Sequence, residues 1–210
     1  MRSQVSATVL IITLLFGATM PLHAQDRMPP IPAEKLTDAQ REAMKEFTAA
    51  RMANVSGPFW PLLRSPEVMS RARAMGDYLR FKSSLPPHLS EFAILITARH
   101  WTQAYEWDAH HRLAIEGGLS ADITAALAEG RRPEKMADDE ATLYTFCTEL
   151  HQNKSVSDAT YARAVAAFGE NGVVDIIGIS GYYTMLAMML NTARTPLPGG
   201  RQPAILPFPR

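Results

Sequence analysis

A single cysteine, Cys147, stands in 210 residues, so no internal disulfide can form. A dithiol redox centre is disfavoured for the same reason: one thiolate must attack and a second thiol must resolve the sulfenic acid. An excess of one charge is missing too, since 21 basic residues face 21 acidic ones. No basic stripe stands out, which argues against nucleic acid as a partner. No segment keeps the period-two alternation of a half-buried strand. His88, His100 and His151 show no metal-ligand spacing with a third ligand. Glu106-x-x-x-His110 alone is too weak a pattern to define a metal site, so none is expected.

What is present is helical periodicity cut by Pro and Gly. Arg2, the apolar run from Val9 to Phe16 and the small residue at Ala24 read as a secretory signal cleaved after Ala24. Leu22 at the minus-three position leaves an uncleaved anchor as the alternative. The expected organisation is a signal peptide over 1–24, an extended leader over 25–36, one helical domain over 37–195 and a Pro- and Gly-rich tail over 196–210. The mature protein is expected to be exported, and periplasmic if the source is Gram-negative.

Thr37 is placed to cap a helix ending near Met52, and residues 54–61 read as a loop. Pro66 opens a helix with Val68, Met69, Ala72, Met75 and Leu79 at apolar positions. Pro86 or Pro87 opens the next, to about His100. Thr102 is placed to cap a helix that Gly117 and Gly118 end, and Ser120 starts a short one. Further helices are expected from Asp138 to His151, Ser157 to Phe168 and Glu170 to Asn191. The fold class is therefore all-α, a bundle of about seven to nine helices. Residues 173–190 are apolar enough to raise a membrane span, but Asp175, Gly178 and Gly181 favour a buried helix, with no stable span after processing.

The segment from Gln103 to His110 carries the chemistry. At roughly 100° per residue, Gln103, Glu106 and His110 fall at about 0°, 300° and 340°, on one helix face. Tyr105 and Trp107 flank that face, and Glu91 lies upstream where a strongly apolar stretch begins. Titratable groups beside apolar surface are where pKa values shift. The plain alternative is an ordinary i,i+4 pair worth roughly a few tenths of a kcal/mol. His111 points about 100° away and reads as solvated. Phe59 and Trp60 either line a pocket or cover the core. Cys147 reads as a buried thiol acting as a small hydrophobe.

Leu85-Pro-Pro-His-Leu-Ser-Glu91, the run from Ala93 to Arg99, Tyr105-Glu-Trp-x-x-His110 and Glu116-Gly-Gly-Leu-Ser120 together resemble the carboxymuconolactone decarboxylase-like family, which shares a superfamily with alkylhydroperoxidase D. The resemblance covers about residues 50–195. It implies a helical bundle that assembles as a homo-trimer or homo-hexamer. In the peroxidase branch the pattern is Glu, Cys-x-x-Cys, then His. Here the cysteine positions fall on Gln103 and Glu106, while Glu91 and His110 remain. The decarboxylase branch implies a cofactor-independent lyase or isomerase acting by proton transfer on a small, anionic, lactone-like compound from aromatic catabolism. No cofactor is expected. In that reading His110 is the acid/base and Glu106 or Glu91 tunes it. Arg99 clamps the anion, or else partners Glu91 or the helix end. Gln103, Tyr105 and Trp107 complete the substrate contacts. The alternatives are a non-catalytic binding or assembly protein on the same fold and, third, the peroxiredoxin activity that the missing thiols disfavour.

Overall fold

The computed structural model describes residues 25–206. The expected signal segment and residues 207–210 lie outside them. Among the described residues there are eight α-helices, two short 3-10 turns and no strand. The all-α expectation is met at that level.

Helix α1 (Asp38–Arg51) starts in a capping box: Gln40 N donates to Thr37 Oγ1 at 3.2 Å and Thr37 N donates to Gln40 Oε1 at 3.0 Å. The segment read as a loop contains one helical turn, α2 (Phe59–Leu62), formed because Phe59, Leu62 and Leu63 all bury. Helix α3 (Pro66–Phe81) buries Met69, Ala72 and Leu79, whereas Val68 and Met75, expected in the same stripe, are exposed. Helix α4 (Pro87–His100) has Pro87 in its first turn, where a missing N–H costs nothing. Every residue from Leu89 to Arg99 is buried. α4 is thus the central rod, packed by α3, α5, α6, α7 and α8.

Helix α5 (Ala104–Glu116) folds back on α4 after a three-residue turn. Its cap is Gln103, not Thr102: Thr102 takes a left-handed backbone (φ 48°) to make the turn, and the Gln103 side chain accepts from Tyr105 N at 2.7 Å. Helix α6 (Ala121–Ala128) follows the Ser120 cap as expected, and α7 (Asp138–Asn153) covers the expected segment, with Ala137 N donating to Glu140 Oε2 at 2.7 Å at its start. Helix α8 (Asp158–Ala193) is broken at Gly169, where φ 68° and ψ 171° leave helical space. That matches the two segments read on either side of residue 169.

α8 is long and apolar enough to cross a membrane by length and composition, and 56% of its most apolar window is buried inside the protein. Asp175 is buried on it, accepting from Ser84 N and Ser84 Oγ at 2.8 Å each. The described part of the tail packs on its own chain: Ile205 enters the core and Arg201 pairs with Asp108 at 2.8 Å.

Gly169 and Gly181 are expected to respond oppositely to alanine. Gly169 sits in a region that essentially only glycine occupies, so Gly169→Ala should cost about 1–3 kcal/mol. Gly181 is helical, and an added Cβ meets nothing within 4 Å, so Gly181→Ala should stabilise by roughly 0.5–1 kcal/mol. Thermal melts of the two variants check the pair.

Candidate active site

Glu91 on α4 and His110 on α5 face each other because the two helices are consecutive and tightly turned. His110 Nδ1 lies 2.6 Å from Glu91 Oε2, and both residues are buried. A carboxylate accepts, so Nδ1–H donates and the imidazole is fixed with Nε2 as its second face. The Tyr183 ring, on α8, stands edge-on to the imidazole with centroids 5.0 Å apart.

Glu106 lies one turn before His110. It is 3% exposed, and neither carboxyl oxygen has a partner among the described residues. Burial pushes its pKa well above the usual carboxylate range. The neutral acid is favoured, and no hydrogen bond to His110 quenches it. Burial likewise holds the Tyr183 phenol well above its ordinary value and pushes Tyr182 up to about 12.

Glu106 and His110 both open onto a cleft of about 190 Å³. Its walls come from the turn at Ser56–Phe59, from Arg51 and Arg80, from Tyr105, and from Tyr182, Tyr183 and Leu186 of α8. Gly57 (φ 53°) lets the turn close on Tyr105, since a Cβ there would lie 2.8 Å from the ring. Phe59 is both core and cleft wall, and Trp60 packs half-buried against the core.

The sequence-expected residues divide. Glu106, His110 and Tyr105 line the cleft, and Glu91 stands behind His110 as its orienting partner. Gln103 is not at the cleft edge: it caps α5 and donates from Nε2 to Asn191 Oδ1 at 2.8 Å. Trp107 points into the core, stacked on His111 at 5.9 Å. His111 is half-buried and bonds Thr124 Oγ1 at 3.2 Å, rather than being solvated, because α6 packs over it. Arg99 is two turns along α4 from Glu91, beside a different cavity with His100 and His151, and donates to the Leu206 carbonyl at 3.1 Å. Its buried guanidinium ties down the tail instead of facing the cleft.

Arg51, Arg80, Tyr182 and Tyr183 were not singled out in the sequence. Two adjacent tyrosines inside an otherwise apolar helix are a signal for the last two; nothing local marks the arginines. No group of three His, Cys, Asp or Glu among the described residues is arranged to hold a metal ion. Cys147 is fully buried beside Ser180, and burial pushes its thiol up to about 12. No protein-family model matches this chain, and no curated protein matches it either.

The unpaired Glu106 has a consequence for stability. Its folded pKa lies above the unfolded value of 4.5, so between the two the folded state binds more protons. Its contribution is full below about pH 4.5 and is lost as pH rises through the folded pKa. Glu106→Gln should flatten that decline in a series of thermal melts against pH. Glu106→Met, which also removes the unmet polar atoms, should stabilise at neutral pH by about 1–3 kcal/mol.

Proposed function

We propose that this cleft is the active site of a cofactor-independent lyase or isomerase of the carboxymuconolactone decarboxylase-like type, moving a proton on a small carboxylated, lactone-like compound. The observation that carries the reading is the pairing of two differently prepared acids on one wall. His110 is oriented by Glu91 at 2.6 Å, and Glu106 is buried, unpaired and biased to its neutral form. A carboxyl biased to its neutral form beside an oriented imidazole offers both a proton donor and an acceptor, which acid/base chemistry requires.

In an isomerisation, His110 Nε2 takes a proton from carbon beside the substrate carbonyl and Glu106 returns one further along the conjugated system. In a decarboxylation, the electrons of the broken C–C bond enter the same carbonyl system and Glu106 supplies the proton to the vacated carbon. The low-polarity wall of Phe59, Tyr182, Tyr183 and Leu186 limits water, which strengthens both steps. Glu91 touches no reacting atom and acts as a positioning residue. A thiol peroxidase is disfavoured, because the buried Cys147 thiol resists ionisation.

Export of the mature protein and assembly as a trimer or hexamer belong to the same proposal. Val174, Ile177 and Met188, exposed along α8, support a surface that a second copy covers. Sedimentation as a monomer at micromolar concentration would sink the assembly.

The decisive experiment is a screen of the mature protein against carboxylated lactones and related ring-cleavage products, followed by ultraviolet absorbance. On a confirmed substrate, His110→Ala should lower kcat by roughly two to four orders of magnitude. Glu91→Gln should cost less and shift the pH profile. Wild-type rates in both His110→Ala and Glu106→Gln would show the helix face to be structural.

A further inference from the structure

The cleft that Glu106 and His110 line also holds a cation, Arg80, with no ion-pair partner among the described residues. Asp77 is the carboxylate beside it, and both its oxygens are taken: Oδ1 accepts from Arg51 Nε at 2.8 Å and Oδ2 from Arg73 Nη1 at 2.6 Å. Arg80, half-buried at the end of α3, makes no hydrogen bond or ion pair among the described residues. Its Nε is buried without a partner, and its guanidinium lies over the Phe81 ring at 5.0 Å. A buried donor left unmet is costly, and a half-buried guanidinium keeps its other N–H groups for a ligand.

Arg80 also stands at a junction. The cleft and a wider hollow of about 570 Å³ share Arg51, Ser56 and Arg80 in their walls, and the hollow adds Lys82. The walls of the hollow thus carry Lys82, Arg80 and the Arg51–Asp77 pair, a net positive lining next to the cleft of Glu106 and His110. The cleft beyond is lined by the aromatic side chains Phe59, Tyr105, Tyr182 and Tyr183.

We propose that Arg80, seconded by Arg51, is the anion anchor of this cleft and binds the carboxylate of a planar, single-ring acid whose ring lies among Phe59, Tyr105 and Tyr182. The assignment rests on the cleft being the ligand site named above, and it moves the anchoring role from Arg99 to a residue on α3. The guanidinium fork suits a carboxylate bidentately, and Arg51, fixed by Asp77, is held in place beside it.

The test is isothermal titration of the full mature chain with benzoate and with its uncharged analogue benzamide. Wild type should bind benzoate in the millimolar range or tighter, and benzamide at least about tenfold more weakly. Arg80→Gln should weaken benzoate by about ten- to a hundredfold and leave benzamide unchanged, while Arg80→Lys recovers part of the loss. Glu106→Gln should still bind benzoate. The anchor is overturned if wild type ignores benzoate at millimolar concentration, if benzoate and benzamide bind alike, or if a folded Arg80→Gln keeps wild-type affinity. Charge-dependent binding lost in Arg80→Gln, with no lactone turned over by wild type, leaves the anchor standing and removes the proton-transfer reading. Turnover that needs His110 but ignores Arg80→Gln removes the anchor alone.

Discussion

Helix α4 is enclosed on every side, and that enclosure dictates the rest. A polar group on a fully buried rod must find a partner on its own backbone or on a neighbouring segment. Glu91 finds His110 on α5. Thr97 finds the Ala93 carbonyl and His151 on α7, and Arg99 finds the Leu206 carbonyl of the tail. The contacts of Glu91 and Thr97 tie α5 and α7 to α4, and that of Arg99 ties down the tail. The imidazole of the cleft is thus oriented by the same requirement that holds the bundle together.

Glu106 breaks the rule. It is as buried as its neighbours and has no hydrogen-bond partner among the described residues, on a face where Gln, Met or Leu would be less costly. Such a residue persists in a fold where the surrounding packing is strong enough to carry it, and its placement beside an oriented histidine is the reason to read the cleft as chemical. If Arg80 holds a carboxylate, the ion pair stabilises that group in the ground state and would be lost as carbon dioxide formed, so it is a poor candidate to leave. The group transformed at Glu106 and His110 is then a different part of the same molecule.

Most of the fold was legible because caps and breakers are local. Thr37, Pro66, Pro87, Gly117 and Ser120 each act through residues within one turn, and the structure places the helix ends within a residue or two of them. The site was legible only along α4 and α5, where spacing alone puts Glu106 and His110 on one face and a short turn brings Glu91 across. Gln103 misled because the helix begins one residue after it, so its side chain turns back to cap instead of following the helical face. Arg99 misled because periodicity cannot say which neighbour covers a helix buried all round. Arg51 and Arg80 were invisible because α1 and α3 reach the cleft by tertiary packing alone.

The break at Gly169 divides α8 into stretches with different coverage. Beyond it, Val173, Ile176, Ile179, Tyr182, Tyr183 and Leu186 are buried in succession, whereas before it burial is confined to Thr160 and Ala164. The first stretch is tied to α7 at one end by Glu149, which accepts from Ser157 N and Thr160 Oγ1. A helix without the break would transmit any fraying at residue 158 up its hydrogen-bond ladder toward the cleft tyrosines. A break in helical geometry at that point favours separate opening of the two stretches. Amide protons of the first are then expected to exchange through a shallow local opening, and those around Tyr182 and Tyr183 only when the bundle itself comes apart.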